Sequence, residues 1–174
     1  PRGMGEHIHE LQQALLADDC YLPRVPMRFS DLTRRAVLVA NQGDPEPLRD
    51  GWNRPIGEER HSWPLRVRDH VAYMLPAPSE VNEAALVLDS ALEKNIQLSY
   101  HNSQPQLTAP PPELPKAFRL QTLKGGEWTT IFETRDNHQR HVRVPIADRV
   151  EGVRFILDET WGDEETELFC FALS

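Results

Sequence analysis

From Arg34 to the C-terminus, apolar and polar residues exchange places every one or two positions, and few folds accept that period. Val71, Tyr73 and Leu75 alternate with His70, Ala72 and Met74, and Val142, Val144 and Ile146 alternate with His141, Arg143 and Pro145. An alternation of two puts successive side chains on opposite faces of a strand. Further short apolar segments occur at 35–41, 84–90, 95–100, 116–123, 127–136, 150–159 and 166–173, with Gly125-Gly126 as a tight-turn signal between two of them. No helical pattern separates the segments, so alternating βα units are excluded. Eight or nine short antiparallel strands in one chain of 174 residues predict a mainly β fold, a jelly-roll sandwich. Fifteen prolines agree, since proline suits loops and strand edges better than helix interiors.

The N-terminal stretch reads differently. Ile8, Leu11, Ala14 and Leu15 recur at helical spacing, Glu6 and Glu10 favour the positive end of a helix dipole, and Pro23 and Pro26 end the pattern. We expect a helix over about residues 5–17. The predicted organisation is therefore 1–26, a helix with an extended linker, and 27–174, the sandwich. The proline-rich run from Thr108 to Lys116 predicts a stiff loop within the sandwich. Cys20 and Cys170 have no metal-ligand spacing, and Cys170, inside an apolar run, reads as a small buried hydrophobe.

A formal net charge of −8 excludes a sequence-independent nucleic-acid surface, which needs a basic patch, and disfavours docking on anionic lipid. No run is long and apolar enough to span a membrane as a helix, so a soluble chain is expected. There is no nucleophile elbow and no glycine-rich dinucleotide turn.

The ordered set of an early strand at 36–41, the Asp50-Gly51 loop, Trp63, the strand at 70–76, and the final Arg154-Phe155-Ile156 and Glu167-Leu168-Phe169 segments resembles the galactose-binding-like β-sandwich. That jelly roll is shared by discoidin-type and carbohydrate-binding modules. Separately, residues 6–23, with a Leu-Gln-x-x-Leu helix, an acidic turn and Tyr21-Leu22-Pro23, resemble the segment that ends the catalytic part of bacterial FAD-dependent oxidoreductases. The second resemblance implies that the chain is a C-terminal accessory module whose FAD belongs to an upstream domain. Pro1 in place of an initiator methionine is what such an excised piece would show.

The first resemblance implies a structural calcium between Asp50 and Glu167, against the plainer reading of a turn residue and a solvated strand residue, with Arg49 or Arg54 neutralising Asp50. Of the four tryptophans, Trp63 and Trp128 fall in strand patterns and are expected in the core; Trp52 and Trp161 fall in loops. These two are the candidates for a sugar-stacking platform, or else plugs for the end of the sandwich. Arg135 and His138 lie in a local basic patch that could grip a carboxylate or sulfate, with a solvated strand end as the default. His138 and His141 would face opposite sides of a strand, which argues against zinc.

Three functions stay open. The first is a non-catalytic module that binds carbohydrate or docks on the upstream FAD domain. The second is a sandwich that only stabilises or oligomerises its parent. The last is a small hydrolase using the acidic run from Asp158 to Glu167, whose carboxylates have no defined separation across a cleft.

Overall fold

The computed structural model describes residues 29–56, 58–91 and 109–174. The helix expected over 5–17 and the strand expected over 95–100 lie outside these residues. Helix α1 (Asp31–Arg35) leads into strands β1 (Val37–Ala40), β2 (Trp63–Arg66), β3 (His70–Leu88), β4 (Pro115–Lys124), β5 (Glu127–Thr134), β6 (His141–Thr160) and β7 (Glu165–Leu173). A 3-10 turn at Glu46–Arg49 stands between β1 and β2. Every strand pair is antiparallel, and the fold is the expected β-sandwich.

The segments read as separate strands at 70–76 and 84–90 are one strand, β3, and those at 140–146 and 150–159 are one strand, β6. The reason lies in the layering. The first part of β3, His70–Met74, pairs with β1 and with Gly152–Ile156 of β6; its later part, Glu83–Val87, pairs with His141–Pro145 of β6 and with β7. The register shifts between Met74 and Ser79. Pro76 and Pro78 stand in that interval, where a residue without an N–H costs no ladder bond. Both long strands therefore bend from one layer into the other, giving layers β1-β3-β6-β4-β5 and β2-β7-β3-β6.

The inward-facing alternate residues fill the space between the layers. Trp63, Tyr73, Phe118, Phe155 and Phe171 are fully buried, with Leu48, Leu65, Leu86, Leu120 and Leu157 around them. Ring pairs tilt rather than stack: Tyr73–Phe171 at 5.0 Å and Phe118–Phe155 at 5.5 Å between centroids. Tyr73 carries its hydroxyl into this core and donates to Phe171 O at 2.7 Å, which avoids a buried unpaired donor. Gly125 and Gly126 have φ of +56° and +82°, the pair of left-handed residues that a two-residue hairpin turn between β4 and β5 requires. Cys170 is a free, buried thiol, as its apolar surroundings suggested, and burial pushes its pKa up to about 12.

One core assignment is corrected. Trp63 is buried with its indole N–H donating to Gln42 O at 2.9 Å, but Trp128 is only half-buried and lies on the outer face of β5. Its register partner Leu123 faces outward with it, so the strand pattern placed Trp128 on a face without saying which face was inner.

Candidate site at the loop end of the sandwich

Because β3 and β6 each leave from and return to the same end of the sandwich, the strand ends at Ala40, Leu88, Thr134 and Thr160 lie together there. Long loops carried on a rigid double sheet are a common place for recognition. All six residues singled out from the sequence sit in or beside the connections that follow these strand ends: Asp50, Trp52, Arg135, His138, Trp161 and Glu167.

The short loop from Arg135 to Arg140 organises this end. Asn137 is buried; its backbone N–H donates to Lys116 O at 2.9 Å, and its side-chain amide donates to Pro115 O at 2.8 Å and Gln139 O at 3.0 Å. Its carbonyl accepts the indole N–H of Trp161 at 2.8 Å. Trp161 is thereby fixed at the mouth of the sandwich, half-buried and packed against the edge of the core. The His138 ring lies 4.8 Å from the Trp161 ring at 45°, and Lys116 Nζ stands 5.3 Å from the indole centroid. Lys116 also pairs with Glu159 at 2.7 Å, and exposed His138 reaches Asp136 at 3.3 Å. The proline-rich run contributes here too: Pro112 O accepts from the backbone of Gly162 and Asp163, and Leu114 O from Trp161, so it buttresses the Trp161 loop instead of running free.

Trp52 occupies the neighbouring connection. Asp50 Oδ1 accepts from Trp52 N at 2.8 Å, and the Trp52 ring lies 5.5 Å from the His61 ring. Arg140 joins the two halves of this end, donating to Asn53 O and to Ser90 Oγ while its guanidinium covers Phe169 at 5.0 Å. Arg135, on the same loop, turns outward and pairs with Glu133 at 2.7 Å; the structure does not bring it to Trp161 and His138.

The geometry gives calcium a poor donor set. His61 Nδ1 stands 2.7 Å from Asp50 Oδ2, so a histidine, not Arg49 or Arg54, is the basic partner of Asp50. Arg49 takes Glu46 instead. Arg60 donates to Glu167 Oε1 at 2.7 Å and stands 2.6 Å from Oε2, which is buried without a hydrogen-bond partner. Among the described residues no group of three or more acidic, histidine or cysteine side chains could hold a metal, whereas calcium wants six to eight oxygens. Asp50 and Glu167 thus already have basic partners, His61 and Arg60. Adding millimolar calcium or EDTA is therefore expected to leave the melting temperature unchanged; a calcium-dependent rise of several degrees in a thermal melt would restore the calcium reading.

The acidic run does not form a poised carboxylate pair either. Asp158 is held by Arg119, Glu159 by Lys116, Glu165 by Arg66 and Glu167 by Arg60. The first three pairs tie neighbouring strands together, and the last ties β7 to the segment before β2.

Lys116 and His61 were not expected from the sequence as site residues, and Asn137 and Arg140 fell within the local basic patch without being singled out. Asn137 stood among turn-forming residues with nothing to mark it as a hub, and the others meet Trp161, Asp50 and Asn53 only through the fold.

No protein-family model and no curated protein matches the sequence. Solved structures do match. A family 32 carbohydrate-binding module from Streptococcus pneumoniae EndoD superposes with a TM-score of 0.60 at 12% identity, covering 83% of this chain and 99% of that one. Chitosan-binding module 1 of a chitosanase/glucanase from Paenibacillus sp. IK-5 gives a TM-score of 0.59 at 13% identity, over 83% and 98%. The family 32 module of C. perfringens NanJ, solved with galactose, gives 0.57 at 9% identity, over 83% and 97%. At these identities the likeness establishes the fold: the chain has the β-sandwich of carbohydrate-binding modules.

Proposed function

We propose that this chain is a non-catalytic accessory module that binds carbohydrate at the loop end of its sandwich. The observation that carries the reading is Trp161, held half-buried by its bond to Asn137 and flanked by His138 and Lys116. An indole fixed at a mouth offers a flat apolar face to the C–H side of a sugar ring, and the polar groups around it offer hydrogen bonds to hydroxyls. Trp52, tied to the same end through Asn53 and Arg140, is the second aromatic such a ligand would meet. The solved modules with this fold include one in complex with galactose and one in complex with chitotriose, which supports a saccharide as the ligand class.

The module's place after an FAD-dependent oxidoreductase domain is a further proposal. It is supported by the resemblance of residues 6–23 alone, so any flavin would be held by that upstream domain.

The test is a glycan screen followed by titration of the best neutral oligosaccharide. Trp161→Ala is expected to weaken binding by at least about tenfold, roughly 1.4 kcal/mol, and His138→Ala by less. Each variant should keep the wild-type circular dichroism. Binding that survives both Trp161→Ala and Trp52→Ala would remove this end as the site. A chain that binds no glycan would leave docking on its parent as the better reading.

A further inference from the structure

A second feature lies away from the loop end, on the outer face of the β1-β3-β6-β4-β5 layer. Register partners in an antiparallel sheet point to the same side. One row across this face runs Val39, Ala72, Arg154, Gln121, Thr130, and the next runs Val37, Met74, Gly152, Leu123, Trp128. Gly152 leaves a gap in the second row. The Trp128 indole fills it, with Cη2 3.4 Å from where a Cβ on Gly152 would stand. The Arg154 guanidinium then lies 4.2 Å from the Trp128 ring centroid, and its Nε and Nη2 both donate to Gln121 Oε1, with Nε at 3.0 Å. Gln121 is itself fixed, donating to Thr130 Oγ1 at 3.0 Å.

The charge of Arg154 is not balanced. Its neighbours Arg119 and Lys124 are paired with Asp158 and Asp148, but among the described residues no carboxylate lies within ion-pairing distance of Arg154, and its hydrogen-bond acceptor is a neutral amide. Burial, and then the nearby Arg119 cation, push its pKa below the ordinary arginine value. A partly desolvated cation fixed by stacking and by two hydrogen bonds keeps the Nη1–Nη2 edge for a planar acceptor. Two strands away, about 10 Å across the sheet, the face continues with exposed valines: Val37 is 62% and Val39 46% exposed. Apolar side chains beside a fixed cation suit a ring with an apolar face and an anionic substituent.

We propose that this face is a second ligand site, in which Arg154 takes the carboxylate of an acidic sugar while adjoining sugars of the same chain lie across Val39 and Val37. The proposal rests on the carbohydrate reading of the module but not on the loop-end site. Guanidinium and carboxylate are both planar and match in a bidentate pair, which favours a uronic acid.

The experiment is calorimetric titration of the full chain with trigalacturonate and, separately, with the neutral oligosaccharide taken from the glycan screen. Arg154→Gln should weaken trigalacturonate binding by roughly tenfold or more and leave the neutral sugar unaffected; Trp161→Ala should do the reverse. Arg154→Lys, which keeps the charge but loses the planar fork, should recover only part of the affinity. Should Arg154→Gln fail to fold, Val39→Glu at an exposed position of the same row places a like charge against the ligand and should weaken it similarly. Wild-type binding of trigalacturonate should also fall as salt rises. The proposal is overturned if the wild-type chain does not bind trigalacturonate, if Arg154→Gln and Val39→Glu bind it as well as wild type, or if Trp161→Ala abolishes it. Loss of the neutral sugar alone would instead count against the loop-end reading.

Discussion

Replacing Trp63 by alanine is expected to cost about 3–5 kcal/mol of unfolding free energy, enough to leave much of the population unfolded near physiological temperature. Trp63 has no exposed surface and is the largest side chain in the core. Three losses coincide there. The apolar area of the ring is no longer removed from water, a cavity opens beside Leu48 and Leu65, and Gln42 O loses its donor. Trp63 is also the first residue of β2, which holds the edge of the second layer through only four paired positions with β7, so little else keeps that strand in place. Urea unfolding followed by far-ultraviolet circular dichroism measures the effect. A midpoint within experimental error of wild type would mean that Trp63 is not the keystone its burial implies.

Gly152→Ala is expected to cost about 1–3 kcal/mol, a large effect for one added methyl group. The new Cβ would stand 2.7 Å from the backbone oxygen of Tyr73, a distance that forces a shift, and 3.4 Å from both Met74 Sδ and Trp128 Cη2. The atom in the way is main chain on the strand paired with β6, so relief requires moving β3 against β6 at the centre of the larger layer. Gly126→Ala is the control. There the strain is conformational, at φ +82°, but nothing lies within 4 Å of an added Cβ, and a loss of roughly 1 kcal/mol is expected. Equal midpoints for the two variants in urea would show that close strand approach at Gly152 is not what the position demands. Trp128 fluorescence adds a local readout, since Gly152→Ala should also lift the indole from its seat while Gly126→Ala should not.

Part of the candidate site was legible in the chain. Trp52 and Trp161 stood out because a large aromatic ring in a polar loop has no strand neighbours to bury it, and both do lie at the loop end. His138 belongs beside Trp161, four residues beyond the end of β5. Arg135 shows the limit of that reasoning: it shares the loop, yet the glutamate two positions back on β5 takes its charge and turns it outward. Asp50 and Glu167 show another. As types they suit calcium, but their basic partners, His61 and Arg60, come from a connection without sequence pattern and could not be foreseen.

The sequence by itself determined that the chain is an antiparallel β-sandwich, because a period of two repeated over short segments can be satisfied only by strands with one buried face. It likewise located the tight turn at Gly125-Gly126, where both residues must be left-handed. Only the tertiary structure decided which face is inside. Trp63 and Trp128 have the same local pattern, and the first is in the core while the second lies on the outer face, because facing depends on how β2 and β5 register against strands far away in the chain. It also decided that four expected segments are two bent strands, and hence that four strand ends lie together at one end. That convergence places Trp161 on Asn137 and beside His138 and Lys116, contacts set by hydrogen bonds between segments that sequence order keeps apart.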